Sequence, residues 1–268
     1  MSKFADRETQ HYPLRGDVDT DHLQLEWAEA PWDTAIYGDP VLQITRLEVR
    51  GENASQDFAA FELARDAAGS GLTSCRLPHD KLRESMLLEA LGFRFVEMLY
   101  LPELGQLATR PEFVNSTLEV SRATESDLSR VAQIAGTAFR NERFHVDPRL
   151  PSKLGDQRYQ HWALSSLSHP TQRLFVIRDG RFLIGFFVTE NLPDGTCYWH
   201  LNAVATEFQG KGYGRRAWSA MIHHAQSNGA QRVRTSITAR NNRVLNLYAR
   251  LGFRFSAPLM TFHWVRSV

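Results

Sequence analysis

From position 204 the chain reads Val-Ala-Thr-Glu-Phe-Gln-Gly-Lys-Gly-Tyr-Gly-Arg-Arg, with a strand-like run before it and a helical pattern after it. Glycines at 210, 212 and 214 allow successive backbone N–H groups to turn toward one point at a helix N-terminus. Such unpaired donors, together with the positive end of the helix dipole, make a site for phosphate or pyrophosphate. Lys211, Arg215 and Arg216 add formal positive charge beside it. A plain tight connection between strand and helix would also use these glycines. The stretch is not a P-loop, because the Gly-Lys-Ser/Thr ending is missing. It is not a dinucleotide fingerprint either, since no acidic residue follows at the ribose distance.

Two further side chains have chemical potential. Tyr248 follows Asn241 by seven positions, and its phenol could donate a proton. It also lies in line with Val244 and Leu251 on one helical face, where a core aromatic would stand. In the strand before the glycine turn, Tyr198, His200, Asn202 and Val204 alternate, which places them together on one face. His200 titrates near neutrality and could take a proton from a nucleophile; a hydrogen-bonded structural histidine fits as well. His223 and His224 are consecutive on a helix and cannot chelate a metal together, and no HExxH occurs, so no metal is expected.

These groups need a scaffold, and the chain has enough length to provide one. It has 268 residues, 43% of them hydrophobic, with 31 basic and 30 acidic residues for a formal net charge of +1. That excludes a disordered chain, a collagen-like repeat and a small disulfide scaffold. The charge balance gives no reason to expect nucleic acid or an anionic membrane as partner. Cys75 and Cys197, without CxxC spacing, suggest a reducing compartment. No apolar run is long enough to span a bilayer; a cytoplasmic location is expected.

Residues 1–21 read as a flexible polar leader. Over 22–107 the order is β-α-β-α-β: a strand at Val41–Val49, a helix through Phe58 and Phe61, a strand near Leu72–Leu77, a helix through Leu87–Leu91, and a strand at Phe93–Leu101. Residues 108–116 read as a linker. The second region, 117–268, opens with a strand over Thr117–Ala123 and a helix begun by Thr124. A helix follows over Asp156–Ser168, then strands Arg173–Arg178 and Arg181–Thr189 joined by Asp179-Gly180. Thr196–Thr206 is the next strand, running into the glycine turn and a helix capped by Gly229. Arg232–Thr238, a helix capped by Asn241 or Asn242 and closed by Gly252, Phe253–Phe255 and Leu259–Val265 complete this second sheet. The pentapeptide Leu91-Gly-Phe-Arg-Phe95 recurs as Leu251-Gly-Phe-Arg-Phe255. It marks either diverged copies of one fold or a favoured helix-to-strand junction.

The strand ending Ala-Val, then Gln209, Gly212 and Gly214, then Asn241, Tyr248, Gly252 and Phe253, resembles the GNAT superfamily of acetyl-CoA-dependent N-acetyltransferases. The resemblance covers about Thr117 to the end; Thr206 stands where the family often has proline. It implies a mixed α/β fold, a largely antiparallel sheet flanked by helices, preceded here by a degenerate half-copy lacking the glycine turn. It implies acetyl-CoA as co-substrate. Val204 would pair with the pantetheine arm, and Gln209, Gly210, Lys211, Gly212, Tyr213, Gly214 and Arg215 would hold the pyrophosphate. Asn241 would touch the cofactor, Tyr248 would protonate the leaving thiolate, and His200 sits where some members carry a catalytic histidine. Trp32–Gly38, Ala138–Phe144, Tyr159 and Trp162 resemble the dTDP-fucosamine acetyltransferase group. That implies a nucleotide-sugar amine as acceptor, with Tyr198, Asn202 and Phe144 as candidate lining residues; packing suits Phe144 equally. A homodimer is compatible with this reading. The competing readings are an acetyltransferase for another small amine, amino acid or protein N-terminus, and a non-catalytic acyl-CoA-binding tandem protein.

Overall fold

The computed structural model describes residues 14–113 and 117–266. In chain order its elements are β1 (Arg15–Asp19), β2 (Leu23–Glu29), α1 (Pro31–Tyr37), β3 (Val41–Val49), α2 (Ala54–Ala67), β4 (Leu72–Pro78), α3 (Leu82–Ala90), β5 (Arg94–Tyr100) and β6 (Pro102–Leu104). They continue with β7 (Glu119–Arg122), α4 (Leu128–Ala138), α5 (Arg143–Val146), α6 (Lys153–Ser165), β8 (Gln172–Asp179), β9 (Phe182–Asn191) and β10 (Thr196–Val204). The last are α7 (Tyr213–Ser227), β11 (Arg232–Thr235), β12 (Ile237–Thr238), α8 (Asn242–Arg250), β13 (Arg254–Phe255) and β14 (Leu259–Val265). This is the expected mixed α/β architecture. Most strand pairs are antiparallel; β3–β4 and β10–β11 are parallel.

The described residues form two units, one holding 14–99, 143–154 and 257–266, the other 100–113, 117–142 and 155–256. The expected division at 108–116 therefore differs from the one observed. Strand β14, expected in the second sheet, runs antiparallel between β4 and β5 of the first unit. Its buried Met260 and Phe262 join the apolar cluster of Phe58, Phe61, Leu88 and Phe93, and burial of each aromatic contributes about 1.5–3 kcal/mol. Conversely β6, which follows β5 directly, lies in the second unit between β11 and β13. Each unit thus takes one sheet strand from the far side of the sequence boundary. Periodicity places such a strand in an element but carries no information on its partner.

Of the expected leader, residues 1–13 lie outside the described residues, and Arg15–Asp19 is no leader: it pairs antiparallel with β2. Leu14 and Val18 pack on the first unit's core, which gives this polar stretch its place. Of the expected linker, 114–116 lie outside the described residues and Pro111–Phe113 is a short 3-10 turn with Phe113 buried.

In the second unit the strand order is β13-β6-β11-β10-β9-β8-β7. The Asp179-Gly180 signal is a hairpin turn between β8 and β9. Thr124 opens the turn before α4 with a reciprocal capping box to Asp127, satisfying helix-end donors that would otherwise be orphaned. Helices α7 and α8 cover one face of the sheet with Trp218, Met221, Tyr248 and Leu251, while α4 and α6 cover the other with Val131, Ile134, Tyr159 and Ala163. The helical face of Val244, Tyr248 and Leu251 read from the sequence belongs to the first of these.

Candidate active site

Strand β10 organises the site. It pairs in parallel with β11 only over Thr196–Trp199, opposite Arg232–Thr235, yet continues to Val204. Beyond Trp199 its edge toward β11 therefore leaves the ladder, and Thr235 Oγ1 donates to the Trp199 carbonyl at the point of divergence, 2.9 Å away. On its other side β10 carries a bulge. Trp199 pairs with Thr189 and Leu201 with Val188, so His200 is the extra residue.

The bulge corrects one expectation. Strict alternation would place Tyr198, His200, Asn202 and Val204 on one face, but an extra residue reverses the alternation beyond it. Cys197, Trp199 and Val204 belong to the cluster under α7 and α8, whereas Leu201 and Ala203 belong to the cluster under α4 and α6. His200 keeps company with Tyr198 and with Trp162 of α6, at ring separations of 4.8 and 5.9 Å. Asn202 is turned to the opposite face, where its Oδ1 accepts from the Tyr248 hydroxyl at 3.4 Å.

Tyr248 is fully buried, between Trp218 and Phe253. Burial pushes its hydroxyl up to about 12, against the hydrogen bonds that pull it down. At neutral pH it is a proton donor only. The ring fills the core, as the periodicity argument expects, and its hydroxyl reaches Asn202 on the stretch of β10 beyond the divergence.

Past Val204 the chain makes a 3-10 turn over Thr206–Phe208 and then the glycine turn. Gly210 and Gly212 have φ of +76° and +81°, the left-handed region that side chains disfavour. A Cβ at either would meet nothing within 4 Å, so the turn faces open space on that side. Gly212 is the N-cap of α7, and no side chain caps it. The first-turn N–H groups there retain their capacity for an anion. Lys211 and Arg215 are exposed beside them, so the residues present fit a diphosphate. Arg216 is directed elsewhere, to Asp179 Oδ2 at 3.3 Å and to Thr117, and Tyr213 also donates to Asp179. Gln209 spans the turn, its Nε2 donating to the Val204 carbonyl at 2.8 Å while its Oε1 accepts from Arg243.

On the face toward α6, His200 Nε2 lies 2.8 Å from Glu190 Oε2. Burial lowers the His200 pKa and the neighbouring Glu190 carboxylate opposes that, leaving it below the ordinary value. The imidazole is therefore neutral at pH 7 and can accept a proton. Arg158 stands over the Trp162 ring at 5.2 Å, and the Trp162 indole N–H donates to Gln172.

Two expected residues have other settings. Phe144 is buried with Ala30, Val41, Leu72 and Leu150 in the first unit's core, where its apolar ring packs. Asn241 caps α8 by accepting the Val244 N–H at 3.3 Å, which commits its carbonyl oxygen but not its amide nitrogen. Sequence reading missed Glu190, Thr235 and Arg243. Glu190 was reachable: once the turn at Asn191–Gly195 is folded, hairpin register sets it opposite Tyr198. Among the described residues no cluster of three or more His, Cys, Asp or Glu is placed to hold a metal ion. No described helix is long and apolar enough to cross a membrane.

Comparison with known proteins agrees with the fold. Residues 131–253 match the model of the Acetyltransferase (GNAT) family. The chain is 20% identical over 243 residues to the spore coat polysaccharide biosynthesis protein SpsD of Bacillus subtilis (strain 168), covering 89% of this chain and 82% of that protein. A GCN5-related N-acetyltransferase from Sphaerobacter thermophilus superposes with a TM-score of 0.63 at 13% identity, over 92% of this chain and 82% of the other. A tandem GNAT protein from the clavulanic acid biosynthesis pathway superposes with a TM-score of 0.57 at 11% identity, over 92% and 80%. At such identities the two structures share the fold with this chain.

Proposed function

We propose that this chain, an acetyl-CoA-dependent N-acetyltransferase carrying a GNAT-family domain, acetylates a primary amine of an amino-sugar nucleotide by direct attack in a ternary complex. The observation that supports the reaction is the Tyr248 hydroxyl, buried and hydrogen-bonded to Asn202 where β10 parts from β11. The sugar acceptor is supported by the likeness to a polysaccharide biosynthesis protein, and by an aromatic and cationic face of Trp162, Tyr198 and Arg158 next to His200. Such a face suits stacking and anion pairing.

The residues divide the work. The free edge of β10 beyond Trp199 offers backbone groups to an extended amide-containing arm, and the turn from Gly210 to Arg215 takes the diphosphate. When bound, acetyl-CoA supplies an activated acyl carbon. His200 takes the proton that the amine nitrogen loses as the N–C bond forms. Tyr248 passes its hydroxyl proton to the sulfur as the C–S bond breaks, and is then reprotonated while His200 releases its proton. The products are the amide and the free thiol. General acid and base steps of this kind contribute about 10²–10⁴-fold each.

An acceptor screen that reads thiol release, with the acetylated product identified by mass, tests this. Turnover with a sugar-nucleotide amine is the expected result. Release with amino acids or peptides but with no amino-sugar nucleotide would overturn the acceptor class. Acetyl-CoA binding without turnover on any amine would overturn the catalytic reading.

A further inference from the structure

Glu190 lies in β9 with Gln172 of β8 on one side and Tyr198 of β10 on the other. It therefore projects from the interior of a sheet, not from a loop. Its carboxylate is largely enclosed, with 22% of the side chain exposed against 18% for His200. Burial raises its pKa, but hydrogen bonds from Thr171 and His200 outweigh this and hold it below the ordinary carboxylate range. Glu190 is thus ionised at neutral pH, and an ionised carboxylate can only accept hydrogen bonds. At 2.8 Å from Glu190 Oε2, His200 Nε2 must carry the hydrogen. In the neutral ring the lone pair then resides on Nδ1.

We infer that Glu190 is the positioning residue of the acyl transfer: it fixes His200 in the Nε2–H tautomer and leaves Nδ1 as the atom that receives the amine proton. The inference rests on the reading of His200 as proton acceptor. It extends that reading to a residue outside the glycine turn and the Tyr248 helix. The logic is that of a carboxylate orienting a catalytic imidazole, where the wrong tautomer costs far more than the hydrogen bond itself. Around His200 the other titratable or charged neighbours are Tyr198 on its own strand, His169, which disfavours its protonation, and, on α6, Arg158 over Trp162. Glu190 alone among these favours the protonated ring, so it also sets how acidic the medium can become before the base is lost.

The test compares Glu190→Gln and His200→Gln in the full chain, with an accepted amine and saturating acetyl-CoA. The amide introduced by E190Q can donate to Nε2 as well as accept from it, so it no longer holds the hydrogen on Nε2. E190Q is expected to lower kcat about a hundredfold or more with acetyl-CoA affinity unchanged. It is also expected to move the acidic limb of the kcat/KM profile to lower pH, because the charge that raised the His200 pKa has gone. H200Q is expected to abolish that limb. If H200Q removes the limb but E190Q moves neither kcat nor the limb, the role of Glu190 is overturned and that of His200 stands. If H200Q leaves the limb in place, the reading of His200 fails. Nitrogen-15 NMR of the imidazoles in the unmodified protein gives a readout independent of variant folding: a resonance showing neutral His200 protonated at Nδ1 would overturn the inference.

Discussion

Glu84 Oε1 accepts the backbone N–H of Val49 at 3.1 Å. Val49 ends β3 as Val204 ends β10, and in both units the parallel pairing stops five residues earlier, at Ile44 and Trp199. The two divergences are nonetheless different. In the first unit a buried carboxylate from α3 occupies the strand edge, with Lys81 Nζ 3.7 Å from it. Counting back from the shared Leu-Gly-Phe-Arg-Phe pentapeptide, the fully buried Leu88 stands where Tyr248 stands in the other unit. The first unit thus lacks the hydroxyl there and fills its own edge.

One acetyl-CoA is therefore expected to bind per chain. Isothermal titration should give a stoichiometry near one, and Glu84→Ala should not raise it. A second site in the unmodified protein would contradict the assignment of all binding to the turn at Gly210–Arg215.

Gly212→Val should raise the acetyl-CoA dissociation constant at least tenfold. The residue adopts φ +81° and its added Cβ meets no protein atom within 4 Å, so the folded state loses only conformational energy, about 1–2 kcal/mol. Binding suffers because the side chain projects into the space an anion would use. A melting temperature within a few degrees of wild type together with unchanged affinity would rule out the turn as the diphosphate site.

Tyr248→Phe should lower kcat about 10²-fold or more while leaving acetyl-CoA binding and stability nearly intact. The variant keeps the ring that fills the core and gives up the hydroxyl's hydrogen bonds, among them the long one, 3.4 Å, to Asn202. Because burial holds the hydroxyl up to about 12, its deprotonation should produce no alkaline loss of kcat below about pH 10. Steady-state rates from neutral to alkaline pH check both points; full activity in Y248F would remove the acid.

Acid should destabilise the first unit through His263. Its fully buried ring lies 3.0 Å from Asp147 Oδ2, and burial, helped by the charges of Arg143 and Arg149, lowers its pKa to about 4 despite that carboxylate. The unfolded chain takes up the proton near about pH 6.5 and the folded one only near 4, so stability is complete above the first value and declines as pH falls between the two. The carboxylate of Asp147 is held well below its usual range by His263 and Arg149 in spite of burial, so its contribution is lost only at lower pH. Thermal melts at about pH 7.5 and about pH 5 should show a drop of several degrees in the unmodified protein and a smaller one in His263→Gln. Parallel curves would dismiss His263 as the source.

Much of this was legible in the residues. The hairpin at Asp179-Gly180, the apolar stripes of α7 and α8, the glycine turn and the packing of the Tyr248 ring follow from local chemistry and spacing, which a folded sheet does not alter. What was hidden depends on pairing. The bulge at His200 inserts one residue and reverses the faces beyond it, so strict alternation misassigned Asn202 relative to His200. Glu190 needed hairpin register to meet His200. Phe144, beside a short aromatic motif, is drawn into the first unit's core by contacts with Ala30, Val41 and Leu72, far away in the chain. Pairing partners of β6 and β14 were equally invisible, because a buried strand carries the same apolar pattern whichever sheet receives it.

The placement of β14 governs how the molecule is made. The first sheet needs that strand between β4 and β5, and without it those two would stand about 10 Å apart, two strand spacings, with facing edges unpaired. A ribosome delivers β14 only after the glycine turn, α7 and α8 have emerged. Co-translational folding therefore cannot complete the first sheet before β14 has emerged. Cutting the gene just before β7 would give one fragment with a slot in its sheet and another with the strand that fills it.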